Sequence, residues 1–117
     1  MEKTDAVAAL AALAQDSRLD VFRLLVRAGP DGLSAGQVAA ALALAPNTLT
    51  FHFDRLRHAG LVTVRRAGRS MIYAARYDSM QALLAYLTEN CCQGSESCAP
   101  STCAPADPAR SKATETV

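Results

Sequence analysis

Cysteine occurs four times in the 117-residue sequence, at positions 91, 92, 98 and 103. Thiolates are soft ligands and select soft ions. Cys91, Cys92 and Cys98 fall within eight residues, so one short segment can close all three on a single ion. Cys91 and Cys92 would point in different directions on a regular helix; both reach one ion only where the helix end unwinds. Gly94 and the serines after it allow Cys98 to fold back. Structural zinc sites prefer C-x2-4-C pairs and four ligands, which a vicinal pair fits poorly. With Cys103 as a fourth ligand, zinc, cadmium and lead stay open. A three-coordinate ion with a lone pair, such as As(III), needs only three thiolates. The remaining readings are a Cys92–Cys98 disulfide formed under oxidant and free thiols in a loose tail.

A second pattern is polar and cationic. Residues 47–76 carry six arginines (55, 57, 65, 66, 69 and 76) against one carboxylate, Asp54, whereas the whole chain has a net charge of +1. Alone, such charges describe a solvated face. Their placement says more. On a helix over 46–58, Leu49, Phe53 and Leu56 share a core-facing side. Asn47, Thr48, Phe51, Asp54, Arg55 and His58 lie opposite. Asn47 and Thr48 can exchange hydrogen bonds with base edges, Thr50 suits a phosphate, and Phe51 can touch a thymine methyl. Arg65, Arg66 and Arg69 flank a turn, where cations would lie over phosphates or a minor groove. Asp54 should turn away or pair with Arg57 or His58. His52 and His58 read as flank or surface residues, and Arg18 as a salt-bridge partner.

The elements that must position these groups follow from periodicity and punctuation. Residues 5–14 predict a first helix with Val7, Leu10, Ala11 and Ala14 on one face. Asp16 or Ser17 would cap a second helix reaching about Ala28, striped by Leu19, Phe22, Leu25 and Val26 and stopped by Gly29-Pro30. Ser34 and Gln37 have the capping-box spacing for a short helix over 34–42. Pro46 suits the first position of the next helix, which Gly60 ends. Residues 61–66 and 69–75 read as a β-hairpin turning at Ala67-Gly68. Asp78 or Ser79 would cap a last helix carrying Met80, Leu83, Leu84 and Leu87, a stripe whose extension reaches Cys91. The composition after Cys92 predicts a mobile tail over 93–117, which holds the candidate ligand Cys98. The fold class is mainly α with a small β-hairpin: a winged helix-turn-helix domain over 1–92.

Composition narrows the function. A chain of this length supports one core. Hydrophobic residues make up 50% and aromatic residues 5%, which favours helix through alanine and leucine. No apolar run reaches the roughly 18 residues of a bilayer span, and no signal peptide is apparent, so a reducing cytoplasm is expected. There is no Ser/His/Asp set, no carboxylate pair suited to a cleft and no phosphate-cradling glycine loop, so an enzyme is not expected.

The segments SRLDVFRLLV (17–26), LSAGQVAAAL (33–42) and NTLTFHFDRLRHAGLVTVRRAGRSMIYAA (47–75) resemble the ArsR/SmtB family of winged-helix metal-responsive repressors. The most specific part is Ala59-Gly60-Leu61-Val62 followed by Arg66-x-Gly68-Arg69 and Tyr73. The ending LTENCCQGSESC (87–98) resembles the arsenic-sensing branch. That resemblance implies As(III), and Sb(III), as inducer on Cys91, Cys92 and Cys98 of each subunit, with no organic cofactor. It also implies a homodimer through the first and last helices and double-stranded operator DNA as partner. There is no cysteine in 33–45, where another arsenic site of the family lies. Residues 79–90 lack the His and Asp ligands of the zinc-sensing branch. Cys103 has no family counterpart; Ala45 and Phe53 depart from it only in capping and packing. The expected mechanism is repression by the apo dimer and release when As(III) reshapes the end of the last helix. Alternatives are a thiol-redox or zinc/cadmium sensor repressor, and a metalloid buffer that reads no DNA.

Overall fold

A computed structural model describes residues 1–92. The expectations for the tail over 93–117, including Cys98 and Cys103, lie outside the described residues. The compact unit that carries the fold is Met1–Leu87, and a second begins at Thr88.

Helix α1 (Lys3–Leu13) starts earlier than expected because Glu2 and Asp5 form a capping box. Its buried side is Ala6, Ala9 and Ala12, while Val7 and Leu10 are 58% and 42% exposed. The predicted face is therefore turned outward. Alanines let the backbone come close to the core, and the larger residues are left on the outer surface. Helix α2 (Asp16–Ala28) is capped by the Gln15 side chain, which accepts from the Arg18 N–H, rather than by Asp16 or Ser17. It buries Val21, Phe22 and Leu25; Leu19, expected in the stripe, stays 42% exposed.

Helix α3 (Ala35–Leu42) carries the predicted capping box, with Ser34 and Gln37 each accepting from the other's backbone N–H. Ala43 turns the chain through a left-handed conformation, and Pro46 opens helix α4 (Pro46–His58). The core joins Val38 of α3 and Leu49, Phe53 and Leu56 of α4 to Val21 and Leu25 of α2, with Leu61 and Val62 beneath them.

Three antiparallel strands form the sheet, in the order β1-β3-β2: β1 (Leu33–Ser34), β2 (Val62–Ala67) and β3 (Ser70–Ala75). The hairpin was expected; the pairing of Leu33 with Tyr73 was not. Ala67 pairs with Ser70, so the turn is Gly68-Arg69, one residue later than expected. Gly68 has φ +63°, a conformation that two-residue hairpin turns require and glycine adopts without strain.

Helix α5 (Tyr77–Leu87) begins before Asp78, which lies in its first turn instead of capping it. Tyr77 donates its hydroxyl to the Val26 carbonyl near the end of α2 (3.0 Å), which ties α5 to the centre of the fold. Only Leu83 is buried on α5; Leu84 and Leu87 are 51% and 53% exposed. No helix among the described residues is long and apolar enough to cross a membrane.

Candidate nucleic-acid interface and thiol site

Helix α4 sorts its side chains as the sequence requires. Leu49, Phe53 and Leu56 are buried, and Phe53 stacks on Tyr73 of β3 with ring centroids 3.7 Å apart. Asn47, Thr48, Phe51, Asp54, Arg55 and His58 are exposed together. Phe51 stands out of the fold at 55% exposure, and the Arg55 guanidinium carbon lies over its ring, 5.7 Å from the centroid. Thr50 is exposed, but its hydroxyl donates to the Pro46 carbonyl (3.0 Å). In the free protein that hydrogen is not offered to a phosphate.

Two of the six arginines are matched by carboxylates. Arg57 pairs with Asp54 at 3.5 Å, as the sequence suggested, and Arg76 pairs with Asp78 at 3.1 Å. The Arg76 hydrogen bond holds the Asp78 carboxyl below its ordinary range. The other four have no carboxylate partner among the described residues. Arg65 donates to the Asp31 carbonyl (2.9 Å), which anchors the hairpin to the loop before β1. Arg66 donates to the Gly68 carbonyl within the turn (3.4 Å), and Arg69 stands exposed at the tip. The unmatched cations are therefore Arg55 on α4 and Arg65, Arg66 and Arg69 on the hairpin.

Two residues behave differently from the sequence reading. His52 is buried, only 5% exposed, with Nδ1 lacking a hydrogen-bond partner among the described residues. Burial pushes its pKa down, and the nearby Arg18 cation pushes it further in the same direction. Arg18 forms no salt bridge among the described residues. It is itself buried and donates Nε to the Ala12 carbonyl at the end of α1 (2.7 Å). The reading of His52 as a flank or surface residue failed because α1 and α2 cover that flank of α4.

Helix α5 stops at Leu87, so Cys91 does not continue its stripe. The chain turns instead: the Cys91 N–H donates to the Thr88 carbonyl (2.9 Å), and Asn90 and Cys92 have φ of +59° and +57°. Off the helix, the two sulfurs come within 3.4 Å. Ligand bonds of about 2.3 Å, the zinc–thiolate length, span such a gap, so the pair fits a single soft ion. Cys91 is an exposed free thiol, whereas Cys92 is disulfide-bonded. Capture by both sulfurs thus requires reduction first. No cluster of three His, Cys, Asp or Glu side chains suited to a metal occurs among the described residues; Cys98 is not one of them.

A reading helix held on a buried helix-turn-helix, with a cationic hairpin beside it, defines a winged helix-turn-helix DNA-binding protein. Residues 13–65 match a family model described as a helix-turn-helix domain. Over 98 residues, 82% of this chain and 88% of the relative, the sequence is 30% identical to the transcriptional activator HlyU of Vibrio cholerae. The solved HlyU structure superposes with a TM-score of 0.62 over 80% of this chain and all of that one. A 36% identity links 73 residues, 62% of this chain and 72% of the relative, to the HTH-type regulator YceK of Bacillus subtilis. A homodimeric winged helix-turn-helix DNA-binding domain from Mycobacterium bovis shares the fold, with a TM-score of 0.61, 22% identity and coverage of 80% and 86%. The chain belongs to the ArsR family of winged-helix transcriptional regulators. These relatives are regulators of transcription, not enzymes.

Proposed function

We propose that the chain is an As(III)-responsive repressor that binds operator DNA as a homodimer and is released when As(III), or Sb(III), occupies Cys91, Cys92 and Cys98. The observation that carries the thiol half is the 3.4 Å approach of two vicinal sulfurs on a turn that leaves both off the helix. A bound As(III) would be held by thiolates, so a thiol reductant must first supply the two electrons that open the Cys92 disulfide, after which Cys91 and Cys92 ligate in their deprotonated forms.

The homodimer is supported by the outward apolar faces of α1 and α5, where Val7, Leu10, Leu84 and Leu87 are exposed. Beside them a groove of about 390 Å³ is lined by Leu13, Leu19, Phe22, Val26 and Met80. Apolar surface of this extent on so small a domain calls for a partner. Two copies would place their α4 helices in successive major grooves, with Asn47, Thr48, Phe51 and Arg55 toward base edges. Arg65, Arg66 and Arg69 would then meet the backbone, with Thr50 accepting only a minor role there.

The disulfide at Cys92 favours a second reading, a thiol-redox regulator. One experiment separates them: fluorescence anisotropy on a promoter fragment, titrated in parallel with arsenite, zinc, cadmium and peroxide under defined thiol conditions. Release by arsenite from reduced protein, lost in Cys91→Ser, Cys92→Ser and Cys98→Ser but kept in Cys103→Ser, supports metalloid sensing. Release by peroxide alone supports the redox reading.

A further inference from the structure

We propose that Phe51 and Arg55 act as one reading unit that selects a 5-methylpyrimidine lying within two base steps of a guanine in the major groove. The inference rests on the DNA-reading assignment of α4 and adds what that helix selects.

Phe51 occupies the middle of the exposed face of α4, between Asn47 and Arg55 one turn to either side, and more than half of it is open to solvent. A benzyl group has no hydrogen bond to offer. The apolar feature of the major groove is the C5-methyl of thymine, so that group is what the ring can read. Arg55 has the complementary chemistry. Its side chain makes no hydrogen bond or ion pair within the described residues, and its guanidinium is restrained by the Phe51 ring. Such cation–π contacts steady the group without using its N–H donors. A guanidinium in this state is suited to the O6 and N7 acceptors of guanine.

The spacing limits how far apart the two bases stand. The guanidinium carbon is 5.7 Å from the ring centroid, and base pairs rise about 3.4 Å per step. The methyl and the guanine therefore belong to neighbouring base pairs, no more than two steps apart. The selected feature is the methyl itself, so 5-methylcytosine should serve where unmethylated cytosine fails.

The test uses the full-length reduced protein and a duplex enriched from a random pool. Each thymine of a half-site is replaced in turn by deoxyuridine, which removes only the methyl. One position per half-site should weaken binding about fourfold, the value of one buried methyl-sized group. At that position a C·G pair should bind more weakly than the same pair carrying 5-methylcytosine. A guanine within two steps should be sensitive to 7-deazaguanine. Phe51→Ala should erase the deoxyuridine penalty and reduce the 7-deazaguanine penalty; Arg55→Gln should erase the latter. Circular dichroism of both variants checks that these exposed substitutions leave the fold intact. A flat deoxyuridine scan with specific binding overturns this inference alone, as do undiminished penalties in folded Phe51→Ala. Failure of the wild type to enrich any duplex overturns the DNA-reading assignment along with it.

Discussion

His52, read from the sequence as a flank or surface residue, is buried and carries a measurable signature. It is buried against Arg18 with an unpartnered Nδ1. Burial first, and the Arg18 charge second, hold its folded pKa below the reference 6.5. The unfolded chain therefore binds this proton more readily than the folded one. By linkage, the contribution is full above pH 6.5 and is lost as the pH falls from there through the lower folded pKa. Urea unfolding should show wild-type stability falling over that window, with a shallower fall in His52→Gln. Equal slopes in the two proteins would refute the assignment. The neutral imidazole lies on the inner face of α4, so acidification should loosen the helix that carries Phe51 and Arg55.

Most element boundaries were legible because their signals are local. Pro46 at the start of α4, the Ser34/Gln37 box and the alternation of Val62 and Val64 each act within a few residues, and the structure keeps them. The choice of face was less legible. Alanine and leucine repeat on both sides of α1, and which side turns inward is settled by how closely α2 and α4 approach. Strand β1 was missed because two residues carry no periodicity. Its place depends on Gly32, which has φ +72° and whose added Cβ would collide with the Tyr73 carbonyl. Gly32→Ala should therefore cost about 1–3 kcal/mol from the backbone conformation alone, and more from the collision. Thermal unfolding of the variant checks this; unchanged stability would mean that the β1–β3 register is not fixed by close approach. For the site, the cationic face was readable because α4 and the hairpin are contiguous in sequence. The unwound geometry at Cys91 and Cys92 was not, since the Leu-striped pattern gives no stop before them.

The proposed sensor would link a cationic reading face to a soft thiol site. In that reading the cations would set a sequence-independent affinity. Replacing Arg65, Arg66 and Arg69 by glutamine should weaken binding uniformly across duplexes. It should also reduce the log–log salt slope by about 0.9 for each phosphate that is no longer neutralised. A slope unchanged by the triple replacement would mean that other cations neutralise the phosphates. In the proposed function the thiols would set the switch, and linkage would make it reciprocal: whatever arsenite does to DNA affinity, DNA must do to arsenite affinity by the same factor. That equality can be measured on reduced full-length protein by determining the operator Kd with and without saturating arsenite, and the arsenite Kd with and without saturating operator. Both constants should rise by one common factor, about 5- to 150-fold for typical couplings. An operator Kd that stays the same at saturating arsenite would contradict the proposed sensor.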